Sequence, residues 1–225
     1  MGYYCSACLD FMHQIELLIF DLDGTLIDSK RDIANSVNLT FREIGLPEKP
    51  HELIYDYVGN GVRQLIIDAV GSDDHALIDR TLACFEQHYL SHLLDETRLF
   101  PGITDVLEHF ENKKIALATN KPAHYTEKIM SGLNLNARFD IVIGASPDIR
   151  LKPHPEMLLK TLEILEVAPS DAVMIGDSLN DFHAAKAAGV PACGVAYGFG
   201  DAQILRSENP DFFIDQSDEL MTLFK

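Results

Sequence analysis

The sequence predicts an α/β fold: a doubly wound parallel-sheet core carrying an inserted α-helical domain. Three observations lead there. Short apolar runs that stop abruptly recur at 15–20 (IELLIF), 114–118 (KIALA), 140–143 (DIVI) and 172–175 (AVMI), with shorter ones at 192–196 and 212–214. Runs of this kind are the mark of parallel strands covered on both faces. Helical patterns separate the later runs, and alternation of strand with helix is the signature of a doubly wound sheet. The interval from about Ser29 to Arg98 breaks that alternation and offers helices without a convincing strand.

Taken in order, the first run ends at Asp21, Asp23 and Gly24, residues that leave a strand readily because they suit tight turns. Residues 31–44, 62–70 and 74–94 then read as amphipathic helices joined by turns bearing Gly or Pro. A Pro101-Gly102 break starts a helix over 103–112, and another covers 123–132. Pro155, at an N1-like position, opens a helix over 155–166; the last, over 181–188, stops at Gly189. The expected division is an N-terminal tail (1–14), an α/β core (15–28 and 99–225) and a helical cap domain (29–98). Its hinges fall near 26–29 and 98–102.

Composition narrows the partners. The chain has 225 residues, 47% hydrophobic and 24% charged, which is ordinary for a globular protein. No stretch approaches the ~20 consecutive apolar residues that span a bilayer. A formal net charge of -17 opposes nucleic acid and acidic lipid surfaces, which are held chiefly by Lys and Arg. Neither nucleic acid nor membrane is therefore an expected partner. An anionic small substrate needs a local exception to that field. Cys84 and Cys193 read as buried hydrophobes without a ligand partner at metal spacing, and Cys5-x-x-Cys8 lacks both the four ligands of a zinc site and the setting of a redox pair. MGYYCS fits the loose myristoylation pattern, but Tyr3 and the acidic charge argue against it. Met12 could serve as a start, leaving 1–11 as a dispensable tail. With no secretory pattern, the expected setting is the cytoplasm.

Ligands of open parallel sheets bind outside the carboxyl ends of the strands. After the first run come Asp21, Asp23, Gly24 and Thr25; after KIALA come Thr119, Asn120 and Lys121. After DIVIGA comes Lys152 in LKPHP, and after AVMI come Gly176, Asp177, Ser178 and Asp181. Crowded carboxylates repel and are costly to bury without a cation. Mg²⁺ resolves the conflict, since it takes a few carboxylate oxygens and lets substrate phosphate complete its shell. Lys152 and Thr119 add donors for further phosphate oxygens, giving the inventory of phosphoryl transfer.

FDLDGTL, ATN, LKPHP and GDSLND, in this order, resemble the four motifs of the haloacid dehalogenase superfamily of phosphohydrolases. The resemblance implies a Rossmann-like core with a cap, and roles for the motif residues. Asp21 would be the nucleophile that becomes an aspartyl-phosphate, and Asp23 the acid and base. Asp21, Asp177 and the backbone carbonyl of Asp23 would hold Mg²⁺, with Asp181 in a supporting or direct role. Asp181 could instead be a helix N-cap. Thr119 and Lys152 would bind the phosphoryl group, Gly24 would let the loop turn tightly, and Thr25 and Asn120 would shape the loop or neighbour the phosphate.

Asp23 argues against dehalogenation, and the cap interval offers only Lys30 and Lys49 for the Schiff base of phosphonate cleavage, neither in an apolar pattern. YVGNGVRQLI, RLFPGITDVL, TNKP and LKPHPEMLL resemble the phosphoglycolate phosphatase branch. That implies a small phosphorylated metabolite, with Gly61 at a helix N-terminus and Arg63 as a fork for its carboxylate. A monomer or homodimer is expected. Pyrophosphatases, sugar-phosphate phosphatases and β-phosphoglucomutase share similar motifs. A phosphate-binding regulatory module without turnover is the alternative from another class, which a phosphate-release assay separates.

Overall fold

The computed structural model of the chain describes residues 13–225. The chain runs β1 (Leu17–Phe20), β2 (Ile27–Asp28), α1 (Lys30–Ile44), α2 (His51–Tyr55), α3 (Val62–Val70), α4 (His75–His92), β3 (Arg98–Leu99) and α5 (Ile103–His109). It continues through β4 (Lys114–Pro122), α6 (Ala123–Gly132), β5 (Ile141–Ala145), α7 (Glu156–Leu165), β6 (Ala172–Gly176), α8 (Leu179–Ala188), β7 (Ala192–Val195), α9 (Ala202–Ser207), β8 (Phe212–Ile214) and α10 (Leu220–Leu223).

Six strands form one parallel sheet in the order β5-β4-β1-β6-β7-β8. The chain builds outward from β1 through β4 to β5, then returns to place β6 on the other side of β1. That reversal opens a crevice beyond the carboxyl ends of β1 and β6, the usual ligand position in such sheets. Period-two alternation sends Leu17 and Ile19 to one face, against Met157 and Leu158 of α7 and Ala184 and Ala185 of α8. Leu18 and Phe20 join the other face, with Val106 of α5 and Ile129 of α6. Apolarity on both faces is why these strands read as continuous runs.

The helices α1 to α4 lie in sequence between β2 and β3, as the helical interval predicts. The sequence pattern misses the β2–β3 ribbon that closes this insertion, where Ile27 pairs with Leu99 and Asp28 with Arg98, because two residues are too few to show alternation. It also misses α2, which spans only 5 residues. Asp32, buried in α1, accepts hydrogen bonds from the backbone N–H groups of Glu96 and Thr97 and from the Thr97 hydroxyl, at 2.8–3.0 Å. One carboxylate thus ties the start of the insertion to its return. Ile33, Ile54, Leu65, Phe85 and Tyr89 of these helices share an apolar cluster with Phe20, Leu26 and Ile27.

β4 outruns its expected end at 118, reaching Pro122, which pairs with Ala145 after a register shift following Ala118. The irregularity carries Thr119, Asn120 and Lys121, all buried, to the crevice. At the N-terminal side His13 bridges Phe224, so the expected tail is already part of the fold at residue 13. Cys5-x-x-Cys8, the MGYYCS pattern and Met12 lie outside the described residues. Among those described, no helix is long and apolar enough to cross a membrane.

Candidate active site

Asp21 follows β1 directly and is buried, as are Asp177 after β6 and Asp181 in the first turn of α8. One carboxylate oxygen from each lies within 4.8 Å of the others. Three acceptor-only groups so close cannot all carry charge comfortably out of water. Burial above all raises Asp21 to about 6, with Asp181 and Asp23 adding repulsion against the pull of Lys152. Burial, then Asp181 and Asp21, raises Asp177 to about 7, opposed by the N–H groups of Gly200 and Phe199. An all-oxygen cluster of this kind could hold a hard divalent cation.

Lys152, in the loop before α7, answers part of that charge. Its ammonium donates to Asp21 Oδ1 at 2.7 Å, to Asp181 Oδ1 at 2.5 Å and to the Ala118 carbonyl at 2.6 Å. Burial pulls the lysine down, but the two carboxylates win and hold it charged, at about 12. Asp181 is also fixed through Oδ2 by the N–H of Ser178 at 3.1 Å and its hydroxyl at 2.6 Å. The alternative reading of Asp181 as N-cap gives way: Ser178 caps α8, and Asp181 is the third helical residue of a capping box.

Asp177 Oδ2 accepts from the N–H groups of Phe199 at 2.7 Å and Gly200 at 3.0 Å. Asp23 is held by Lys121, whose ammonium reaches Oδ1 at 3.0 Å and Oδ2 at 2.9 Å, and by the Ser29 hydroxyl at 2.5 Å. Asn120 donates to the carbonyls of Gly59 at 3.0 Å and Lys152 at 2.9 Å, and accepts from the Lys152 N–H at 2.8 Å. It therefore ties the loop before α3 to the loop that delivers Lys152.

A cavity of about 240 Å³ opens over this set. Asp21, Asp23, Thr119, Asn120, Lys152, Asp177 and Gly61, all named from the sequence, line it. Asp181 stands behind, reaching the cavity's chemistry through Lys152.

Three residues named as substrate-binding stand off the cavity wall. Arg63 is exposed and paired with Asp79 of α4 at 2.8 Å, outside the cavity wall. Its position in the first turn of α3 sends it along the outer surface toward the neighbouring helix. Gly24 does not line the cavity; with φ +88 it turns the chain, and the Asp177 carboxylate fills the place a Cβ would take. Thr25 also lies off the wall and donates to Asp177 Oδ1 at 3.4 Å.

Sequence reasoning named Lys121 after KIALA without giving it a role, and it missed Ser29, Tyr89 and Asn180. Ser29 and Lys121 hold Asp23, whereas Tyr89 reads as an ordinary apolar position of a helix. Cys84 does have potential ligand neighbours: Glu43, Cys84 and His88 offer atoms within 4.8 Å of one another, because an i, i+4 pair on α4 faces α1. His88 is already paired with Glu43 at 2.8 Å.

Comparison with known proteins agrees with this geometry. The model of the haloacid dehalogenase-like hydrolases matches residues 18–195. A phosphoglycolate phosphatase of Colwellia psychrerythraea is 33% identical over 223 residues, covering 95% of this chain and 99% of its own. One from Aquifex aeolicus is 36% identical over 211 residues, covering 93% and 96%. The crystal structure of a protein from Haemophilus somnus, titled a predicted phosphoglycolate phosphatase, superimposes with a TM-score of 0.87 at 28% identity over 93% of this chain and 98% of that one. With the family model matching residues 18–195 and relatives 33% and 36% identical over nearly the whole chain, the chain belongs to the haloacid dehalogenase-like hydrolase family.

Proposed function

We propose that the protein is a Mg²⁺-dependent phosphomonoester hydrolase that works through an aspartyl-phosphate on Asp21 and acts on 2-phosphoglycolate. The observation that carries this reading is the pairing of two carboxylates with two lysines at one cavity. Asp21 is bonded to Lys152, and Asp23 to Lys121. Both pairs line the same wall.

Asp21, fixed by Lys152, attacks phosphorus in line with the ester oxygen. As the phosphorus–oxygen bond breaks, Asp23 gives its proton to the leaving alkoxide, which departs as the alcohol. The Asp23 carboxylate then takes a proton from water, whose oxygen attacks the phosphorus of the aspartyl-phosphate. Inorganic phosphate leaves and Asp21 is restored. Thr119 and Lys152 hold the phosphoryl oxygens. The cluster of Asp21, Asp177 and Asp181 suits Mg²⁺ by its oxygen-only donors and crowded charge. Asp21 and Asp177 would hold the ion, with the Asp23 carbonyl, and Asp181 beside them. Bound there, it would neutralise carboxylate and phosphoryl charge together.

Lys121 and Lys152 supply the local positive charge that an anionic substrate needs against a net -17. The cavity's volume of about 240 Å³ favours a small leaving group. The names of the Colwellia and Aquifex relatives support 2-phosphoglycolate. The helices α1 to α4 would act as the cap that shuts out water.

The test is phosphate release from 2-phosphoglycolate, pyrophosphate and hexose phosphates, with Mg²⁺ and with chelator. The highest kcat/KM on 2-phosphoglycolate, lost in chelator and restored by Mg²⁺, is expected. A higher value on pyrophosphate or a hexose phosphate contradicts the substrate, and full activity after exhaustive metal removal contradicts the metal.

A further inference from the structure

Tyr89 of α4 is wholly buried and lines the cavity, yet its hydroxyl is the one buried side-chain polar atom without a hydrogen-bond partner among the described residues. An unpaired buried hydroxyl is unfavourable, and such exceptions call for an explanation. The ring does not need it. Tyr89 stacks on Phe85 at 5.3 Å between centroids and meets Tyr125 edge-on at 5.0 Å. The Lys121 ammonium sits over its face, 4.8 Å from the centroid. A phenylalanine would keep the ring contacts; the Lys121 ammonium also attracts the phenol oxygen, but as a donor it leaves the O–H itself without an acceptor.

We propose that the Tyr89 hydroxyl is the specificity-determining donor for the carboxylate of the substrate's leaving group, bound beside Lys121. This rests on the phosphoglycolate reading above and deepens it, since it replaces Arg63 with a different recognition residue. Lys121 couples the two places, holding Asp23, which must face the ester oxygen, while lying against the Tyr89 ring. The group attached to that oxygen must therefore lie near both residues. Burial pushes the phenol up to about 12, so it is a neutral donor throughout the working range. Phe85, Leu65 and Ile33 share the cavity wall and offer a leaving group no polar side-chain partner, and the Asn180 amide on that wall already donates to the Gly59 carbonyl and to Asn60 Oδ1. A substrate with a methyl group in place of its carboxylate would leave the hydroxyl unpaired, and discrimination by an unpaired buried donor is steep.

The test compares wild type and Tyr89→Phe on 2-phosphoglycolate and ethyl phosphate, which differ by carboxylate against methyl. Wild type should prefer 2-phosphoglycolate. In the variant the ratio of the two kcat/KM values should fall about 10-fold or more, the size of a hydrogen bond to a charged group. Competitive inhibition by glycolate should weaken to a similar degree. The thermal midpoint should change little, because the O–H that is removed has no acceptor and the ring contacts stay. A wild-type preference that the variant keeps, with glycolate inhibition unchanged, overturns the Tyr89 assignment alone. Equal falls on both esters also overturn it, marking a role in packing. A wild type with no preference for 2-phosphoglycolate overturns this assignment together with the phosphoglycolate reading.

Discussion

The Lys121 ammonium grips both carboxylate oxygens of Asp23, at 3.0 and 2.9 Å, with the lysine side chain only 4% exposed. The proposed acid and base is thus held by a strand residue rather than left free in its loop. Removing one member of a buried ion pair strands the other, which typically costs about 3–5 kcal/mol. Lys121→Met should therefore lose stability on that scale in urea denaturation, and adding Asp23→Leu should recover most of it. A loss below about 1 kcal/mol would place the pair among weak surface contacts.

Asp23→Asn keeps the shape of the loop and removes the proton. Poor leaving groups should suffer most: the fall in kcat should be much larger for 2-phosphoglycolate than for an activated aryl phosphate. Equal falls on the two would count against proton transfer by Asp23.

Asn120 joins the Gly59 carbonyl to both backbone groups of Lys152. In Asn120→Ala those groups lose their partner, at about 1–3 kcal/mol for an unsatisfied buried group. The expected kinetic result is a similar drop in kcat/KM on 2-phosphoglycolate and ethyl phosphate, because the contact positions Lys152 and the loop rather than the carboxylate. A selective loss on one ester would contradict a positioning role.

Asp21 and Asp177 stand at about 6 and about 7, above the ordinary 3.8. A carboxyl raised on folding binds protons more tightly in the native state, so metal-free stability should fall as pH rises from about 4 to 7. Mg²⁺ competes with those protons, and its stabilisation should be larger at pH 8 than at pH 5. Thermal midpoints with and without Mg²⁺ across that range check both signs. Metal-free stability that climbs with pH through the window would show these carboxyls to be ionised at little cost.

The sheet was legible because parallel strands buried on both faces are apolar throughout, and the candidate site because each of its segments follows such a strand. Asp21, Asp23, Thr119, Lys152 and Asp177 needed no more than that rule. What the sequence hid depends on side-chain direction. Arg63 lies in the first turn of the correct helix but pairs outward with Asp79. Gly24 and Thr25 share a loop with Asp21 and Asp23, yet they pack against Asp177. Tyr89 carries a polar atom on an apolar face, and a helical period cannot tell a core ring from one that lines a cavity. The β2–β3 ribbon escaped for a simpler reason, since two residues to a strand are too few to show alternation.

Nucleophilic attack by Asp21 is the claim on which the rest depends, and rapid chemical quench with peptide mass spectrometry tests it most directly. During turnover of 2-phosphoglycolate with Mg²⁺, the peptide containing Asp21 should carry an acid-stable, hydroxylamine-labile phosphoryl group that decays once substrate is exhausted. Asp21→Asn should form none and release no phosphate, while keeping a thermal midpoint at least as high as wild type in metal-free buffer near neutral pH. Steady turnover by Asp21→Asn, or phosphoryl label on another residue of the wild type, would contradict the account.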